Sequence, residues 1–255
     1  MKYFNFGENW QDYSQKYLTE KQLNEAEVSL TSLVGRDKIK NKNFLDIGSG
    51  SGIFSIAASR LGASSVVGID VSAESVETAE KNAKKYSARA KFICGSILKA
   101  KKLKKLGKSE VVYSWGVLHH TGSMYKAIDN AIDLVKPGGI LVIAIYNKHW
   151  SSPLWKLVKY IYNFMPKVGK TFMIYFFYVV IFVAKFLVTG KNPFKKDRGM
   201  SFYYDVVDWI GGYPYEYASK KEIVDFVKKR GLKLTKFVPA EVPTGCNEYV
   251  FICQE

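Results

Sequence analysis

Cysteine is scarce. The 255 residues hold three, Cys94, Cys246 and Cys253, with no C-x-x-C pair and no metal-ligand spacing. That excludes a disulfide framework or a zinc ribbon and fits a reducing compartment. Histidine is as rare, with three in all, two of them adjacent at His119-His120. Acids are outnumbered, 23 Asp+Glu against 38 Lys+Arg, for a net charge of +15. Residues Met1–Asn5 have no apolar core of signal-peptide length, and the cysteine usage makes a reducing cytoplasm the simpler expectation. No apolar run reaches the ~20 residues of a transmembrane helix. The lysines fall in small groups (Lys99–Lys105, Lys195-Lys196, Lys228–Arg230) without interleaved aromatics, and no zinc-finger, helix-turn-helix or RRM signature occurs. The charge is read as a lysine-rich solvated surface. Attraction to anionic membrane, nucleic acid or a phosphorylated substrate is the functional alternative.

What is present starts with Phe44–Gly52. An apolar run, Asn43 to Ile47, ends in Asp46-Ile47-Gly48-Ser49-Gly50-Ser51-Gly52, and a helical pattern opens at Ile53. Bare backbone at a helix start suits a ligand lying against amides near the positive helix end. The dinucleotide fingerprint G-x-G-x-x-G, counted from Gly48, needs glycine at 53, and Ile53 stands there. The spacing D-x-G-x-G-x-G instead resembles motif I of the class I S-adenosylmethionine (SAM) methyltransferases.

Later elements follow the same order. Ser65–Asp70 is an apolar run ending in an acid, as for a buried parallel strand. Asp70 can accept both hydroxyls of a ribose, and Val71 can pack on an adenine. Ser72 caps the next helix, Ala73–Tyr86. Lys91–Ile97 gives a third strand and its exit. Members of the resembled family often carry Asp near Ser96; here Ser96 and the Ile97 backbone are the candidates. Glu110–Trp115 forms strand four and runs into Gly116-Val117-Leu118-His119-His120. This "LHH" is similar to the small-molecule branch, which includes the quinone and amino-sugar methyltransferases. A histidine near neutral pKa suits proton removal from a hydroxyl or ammonium, and either His119 or His120 is the candidate base. The alternative is that one caps a helix or holds the loop. Helix Ser123–Val135, the turn Lys136-Pro137-Gly138-Gly139 and strand Ile140–Tyr146 complete the run. No Asn/Asp-Pro-Pro-Tyr/Phe motif and no carboxylate cluster for magnesium occurs there, so no metal is expected.

Residues 8–34 carry one or two helices. The family places such a helix over the cofactor, which makes Trp10 and Tyr13 candidates for closing the site. Residues 148–218 stand outside the core pattern. Within them Phe172–Ala184 is an unbroken apolar run before Lys185, flanked by Lys167, Lys170, Lys191, Lys195 and Lys196. A lid or dimer helix buried on the core is the leading reading, then a helix at an anionic membrane surface through 172–188, then a span. Tyr203, Tyr204, Asp208, Tyr213 and Tyr215 form an aromatic, acidic stretch suited to a polar acceptor. Ser219–Glu222 is a capping box, and Leu232–Val238 and Glu248–Cys253 read as the last two strands, whose loop brings Asn247 toward the site.

The resemblance therefore implies a doubly wound, Rossmann-like α/β fold. Its seven-stranded sheet has the last strand antiparallel and a helical insertion after strand five. Residues 1–147 are the core, 148–218 the insertion and 219–255 the closing elements. It implies methyl transfer from SAM, leaving S-adenosylhomocysteine, to a hydroxyl or amine of a small molecule, such as a sugar or lipid-linked intermediate. Asp46, Gly48, Ser49, Gly50, Gly52, Asp70, Val71, Ser96, Ile97, Ser114 and Trp115 would hold the cofactor. An RNA methyltransferase and a non-catalytic membrane-associated SAM-binding protein are the alternatives, and a homodimer is a further expectation.

Overall fold

Why the glycine turn sits where a ligand can reach it follows from the sheet. The computed structural model describes residues 6–99, 103–190, 192 and 202–254. Its seven strands are β1 (Asn43–Ile47), β2 (Ser65–Asp70), β3 (Lys91–Cys94), β4 (Ser109–Trp115), β5 (Val135–Tyr146), β6 (Leu232–Val238) and β7 (Cys246–Cys253). They order as β3-β2-β1-β4-β5-β7-β6. The first five are parallel, and β7 runs antiparallel to β5 and β6. The strand order reverses between β1 and β4, so their C-terminal ends open the crevice of a doubly wound sheet.

Alternate residues feed the two faces. Leu45, Val112, Leu141 and Phe251 enter one core with α5 (Met124–Ile132) and α9 (Lys220–Lys228). Phe44, Val111, Val142 and Val250 enter the other with α2 (Glu20–Val34), α3 (Ile53–Arg60) and α4 (Ala73–Lys85). Capping boxes open α2 at Thr19 and α9 at Ser219, satisfying end amides that no helical carbonyl reaches. The amphipathic α1 (Phe6–Tyr17) packs on α4.

One boundary differs from the sequence reading. Helix α5 stops at Ile132 rather than Val135, and Val135 already pairs with Ser109. The next pair is Val111 with Ile140, so Lys136–Gly139 bulge out of the strand. Pro137 has no amide to give the ladder, and Gly138 takes φ +69°.

The insertion consists of α6 (Ser152–Phe164), α7 (Lys167–Thr189) and α8 (Phe202–Gly211). Its small core joins Tyr162, Ile181, Phe202, Val206 and Ile210. The expectation that the apolar run is buried on the main core is overturned. Along α7 only Ile181 is buried, and the helix packs on α8 and α6 instead. The chain returns to the sheet through an isolated bridge between Asn147 and Ala218.

Candidate functional site

The turn after β1 is built by three glycines that all adopt positive φ: Gly48 at +76°, Gly50 at +52° and Gly52 at +79°. Two are also demanded by space. A Cβ on Gly48 would lie 2.3 Å from Val117, and one on Gly52 would lie 2.9 Å from Ala79. The Gly48 and Ser49 amides both donate to the Ile69 carbonyl, which ties the turn to β2.

Asp70 clamps the turn from the next strand. Its Oδ2 accepts the Gly50 amide at 2.9 Å and its Oδ1 accepts the Ser72 amide at 2.9 Å. A carboxylate offers about four acceptor directions, so the Gly50, Ser72 and Val71 amides do not exhaust it. Burial raises the Asp70 pKa, opposed by the Ser72, Gly50 and Val71 amides. Asp46, at the end of β1, is buried and accepts the Ser55 hydroxyl at 2.7 Å. Burial pushes its pKa up to about 7, against the Ser55 bond and with help from the Asp70 charge.

The Oγ atoms of Ser49 and Ser51 are buried with no hydrogen-bond partner. Orphan hydroxyls beside a cradle of backbone are what a bound polar molecule would complete. Val71 is 71% exposed beside the cradle, an apolar surface available to a planar ring. Ser96 caps its own turn through the Leu98 amide at 3.3 Å, and the buried Ile97 gives its carbonyl to Asn130. Ser114 is turned inward and donates to the Ile47 carbonyl at 2.9 Å, joining β1 to β4. Trp115 Nε1 donates to Glu248 at 3.2 Å, on the β7 side.

Sequence reasoning missed Asn82. Its amide donates to the Ser51 carbonyl at 2.8 Å and to Ser14 Oγ at 3.1 Å, so it locks α1 to the glycine turn. Trp10 and Tyr13 lie on that helix, and their side chains are outside the described residues. Tyr204 donates to Asp12, closing α8 onto α1, with Tyr17 edge-on at 5.5 Å.

The two histidines occupy different positions. His119 is fully buried, packs at 4.1 Å on the Tyr146 ring, and neither ring nitrogen has a partner in hydrogen-bonding geometry. Burial holds its pKa well below the usual range, with the neighbouring His120 and Lys159 charges adding to the effect. His120 is half-buried, and its Nδ1 lies 2.7 Å from the Pro214 carbonyl. A carbonyl accepts only, so Nδ1 carries the proton and Nε2 the lone pair. Burial and the Lys159 charge lower its pKa too, so the ring is neutral at pH 7.

Residues 212–218 are a strap over this end. A Cβ on Gly212 would strike the His120 ring at 2.7 Å. The Glu216 amide donates to the His119 carbonyl at 3.0 Å, and its carboxylate accepts the Met124 amide at the start of α5. Tyr215 is buried against Tyr146 at 5.0 Å, and Tyr213 packs on Tyr160 at 5.8 Å.

Lys159 of α6 is the second residue missed. It is fully buried, donates to the Trp209 carbonyl, and lies over the rings of Tyr215 at 4.8 Å and Tyr146 at 5.4 Å. Burial lowers its pKa to about 7, against the half-buried Asp208. On a helix otherwise patterned with apolar residues, nothing in the sequence separates this lysine from the solvated ones.

Two expected acceptor residues are placed elsewhere. Asn247 is buried and engaged inside its own loop: Oδ1 accepts the Ala240 amide at 2.9 Å and Nδ2 donates to Asn147 at 3.0 Å. Tyr203 is on the outer side of α8, 40% exposed. Among the described residues no group of His, Cys, Asp and Glu could hold a metal.

A family model described as a methyltransferase domain matches residues 38–168. A ubiquinone biosynthesis O-methyltransferase of Pelagibacter ubique is 36% identical over 132 residues, 50% of this chain and 52% of that protein. One from Coxiella burnetii is 28% identical over 131 residues, 51% and 55% of the two chains. The chain thus spans about half the length of the curated relatives it matches. Among solved structures, magnesium protoporphyrin IX methyltransferase of Synechocystis with bound S-adenosylhomocysteine aligns at TM-score 0.61. It is 14% identical, with 97% and 93% of the two chains covered. N-methyltransferase NodS of Bradyrhizobium japonicum, also with S-adenosylhomocysteine, aligns at 0.52, with 15% identity and 92% and 87% covered.

Proposed function

The chain belongs to the methyltransferase domain family, and we propose on that premise that it transfers a methyl group from SAM to a hydroxyl or amine of a small molecule. One observation carries the reading. Three positive-φ glycines at the switch point of the sheet are clamped by the Asp70 carboxylate. The orphan hydroxyls of Ser49 and Ser51 add to the fit.

Asp70 would accept the ribose hydroxyls, Val71 would lie against the adenine, and Asp46 with the Gly48–Gly52 backbone would border the methionine end. Ser96 and the Ile97 backbone would border the adenine, while Ser114 and Trp115, engaged with Ile47 and Glu248, would brace the strand end behind the site. When bound, SAM supplies a methyl already activated on a sulfonium, so alignment of the acceptor is the protein's main task. His120 would take the acceptor's proton on Nε2. The Pro214 carbonyl fixes that tautomer, and burial keeps the ring neutral. His119 sits behind it as a buried support. Tyr146, Tyr215, Asp208, Tyr213 and Tyr204 line or brace the acceptor side.

The acceptor reading extends to a lipid-linked molecule handled by a cytoplasmic, peripheral protein. The two ubiquinone biosynthesis O-methyltransferases named above give the RNA alternative no support. Incubating the protein with methyl-labelled SAM and a soluble and a lipid extract tests the reading. Label in a small molecule supports it. Label in RNA would favour the alternative, and tight SAM binding without transfer would point to a binding protein.

A further inference from the structure

The hairpin α6–α7 carries apolar stripes that no described residue covers. On α7, Phe172, Phe176, Val179, Val183 and Leu187 recur at helical spacing and are exposed, Phe172 at 71% and Leu187 at 76%. On α6, Leu154, Leu157, Ile161 and Phe164 do the same, and Trp150 just before the helix is 84% exposed. The two helices pack against each other, so the stripes belong to one body. A surface of this kind marks a contact rather than a solvent face.

The charge around it selects the occupant. Residues 148–196 contain nine lysines and no Asp or Glu. Lys159 is buried and Lys148 and Lys185 are paired with Glu222 and Asp205, which leaves Lys156, Lys167 and Lys170 as the described cations that a second copy would duplicate. Anionic lipid headgroups complement them, while the apolar stripes enter the acyl boundary. The exposed aromatics Trp150, Tyr160 and Tyr175 suit that boundary.

The mode of contact is also set. Helix α7 has 23 residues and enough hydropathy to cross a bilayer. Its other face, however, packs through Ile174, Phe177 and Ile181 against Trp155, Phe202 and Val206. Lys185 in addition holds Asp205 of α8 at 3.3 Å. A span would strip these contacts and carry Lys185 into hydrocarbon. We infer that the α6–α7 hairpin docks in plane on an anionic membrane surface, holding the strand-end site close to lipid. The inference rests on no part of the methyl-transfer reading.

The test is sedimentation of the full chain with vesicles of phosphatidylcholine, with and without phosphatidylglycerol. Binding is expected to the anionic vesicles and to weaken with salt. The variant Phe172→Ser/Phe176→Ser/Leu187→Ser should lose at least about tenfold in binding, and Lys167→Glu/Lys170→Glu about tenfold. Both should keep S-adenosylhomocysteine affinity, and the serine variant, whose three side chains are exposed, should also keep wild-type melting temperature; the lysine variant gives up the Lys170 contact with the Tyr162 ring at 5.4 Å and is compared at matched folded fraction. Equal binding to neutral vesicles, resistance to alkaline extraction, or a dimer that the serine variant dissolves would each overturn the inference. Loss of cofactor binding with vesicle binding intact would sink the methyl-transfer reading alone.

Discussion

Asp70 Oδ2 accepts the backbone amide of Gly50 at 2.9 Å, so one carboxylate both shapes the glycine turn and faces the crevice beside it. The second oxygen holds the Ser72 amide that begins α4. Asp70→Asn turns one of these acceptors into a donor facing a donor. The expected loss is about 1–3 kcal/mol of stability, read as a lower melting temperature without any ligand. An unchanged melting curve would remove the clamp from the account.

His120 and His119 separate by kinetics. His120→Ala should lower kcat by roughly 10²-fold or more while the protein stays folded. His119→Ala should act first on stability, because its ring fills a buried space against Tyr146. The folded-state pKa of His120 is lowered, so the ring becomes protonated only below the ordinary imidazole range of about 6.5. The acid limb of the kcat/KM profile should therefore fall below that range. A limb at or above it assigns the base elsewhere.

Asp46 gives the chain a pH-dependent weakness. Burial pushes its carboxyl up to about 7 in the folded chain, against an ordinary carboxylate value of about 3.9. Between those values the folded state keeps a proton that the unfolded state has lost. The contribution to stability is full below the lower value, falls as pH rises through about 7, and is flat above. Asp46→Asn should remove this slope, gaining on the order of a few kcal/mol over wild type above neutrality and little in acid. Thermal melts of ligand-free protein across pH decide it, and parallel curves for the two proteins contradict it.

Lys159 works in the opposite direction. Its pKa is lowered to about 7, so between there and the ordinary 10.5 only the unfolded state carries the proton. Stability should rise with pH across that window. Lys159→Met keeps the volume and drops the charge. It should match or exceed wild type in melting temperature at neutral pH and lose the rise. Lys159→Ala should be destabilised by roughly 2–5 kcal/mol, since it leaves a cavity between Tyr146, Tyr215 and Trp209.

The parts that were legible in sequence are those written locally. Strands β1 to β5, the glycine turn, Asp70 and the His119-His120 pair follow one another in order between Asn43 and Tyr146. Each carries its own period or turn chemistry. What was illegible depends on partners far along the chain. Asn82 is an ordinary polar residue on α4 until Ser14 and Ser51 meet it. Lys159 looks like any basic residue until Trp209 arrives from 50 positions away. Asn247 reads as an active-site amide, yet its loop and Asn147 absorb its polar atoms. For α7, hydropathy gave the apolar character but not the side that is covered, because that is decided by α8.

The most direct test of the central claim is calorimetric titration of the wild-type chain with SAM, repeated on Asp70→Ala. The account predicts one site per chain with a Kd inside the span of typical enzyme KM values, about 1 μM–1 mM, weakened at least about tenfold in the variant through the lost ribose contacts. No binding to the wild type, or equal binding to both proteins, would contradict it.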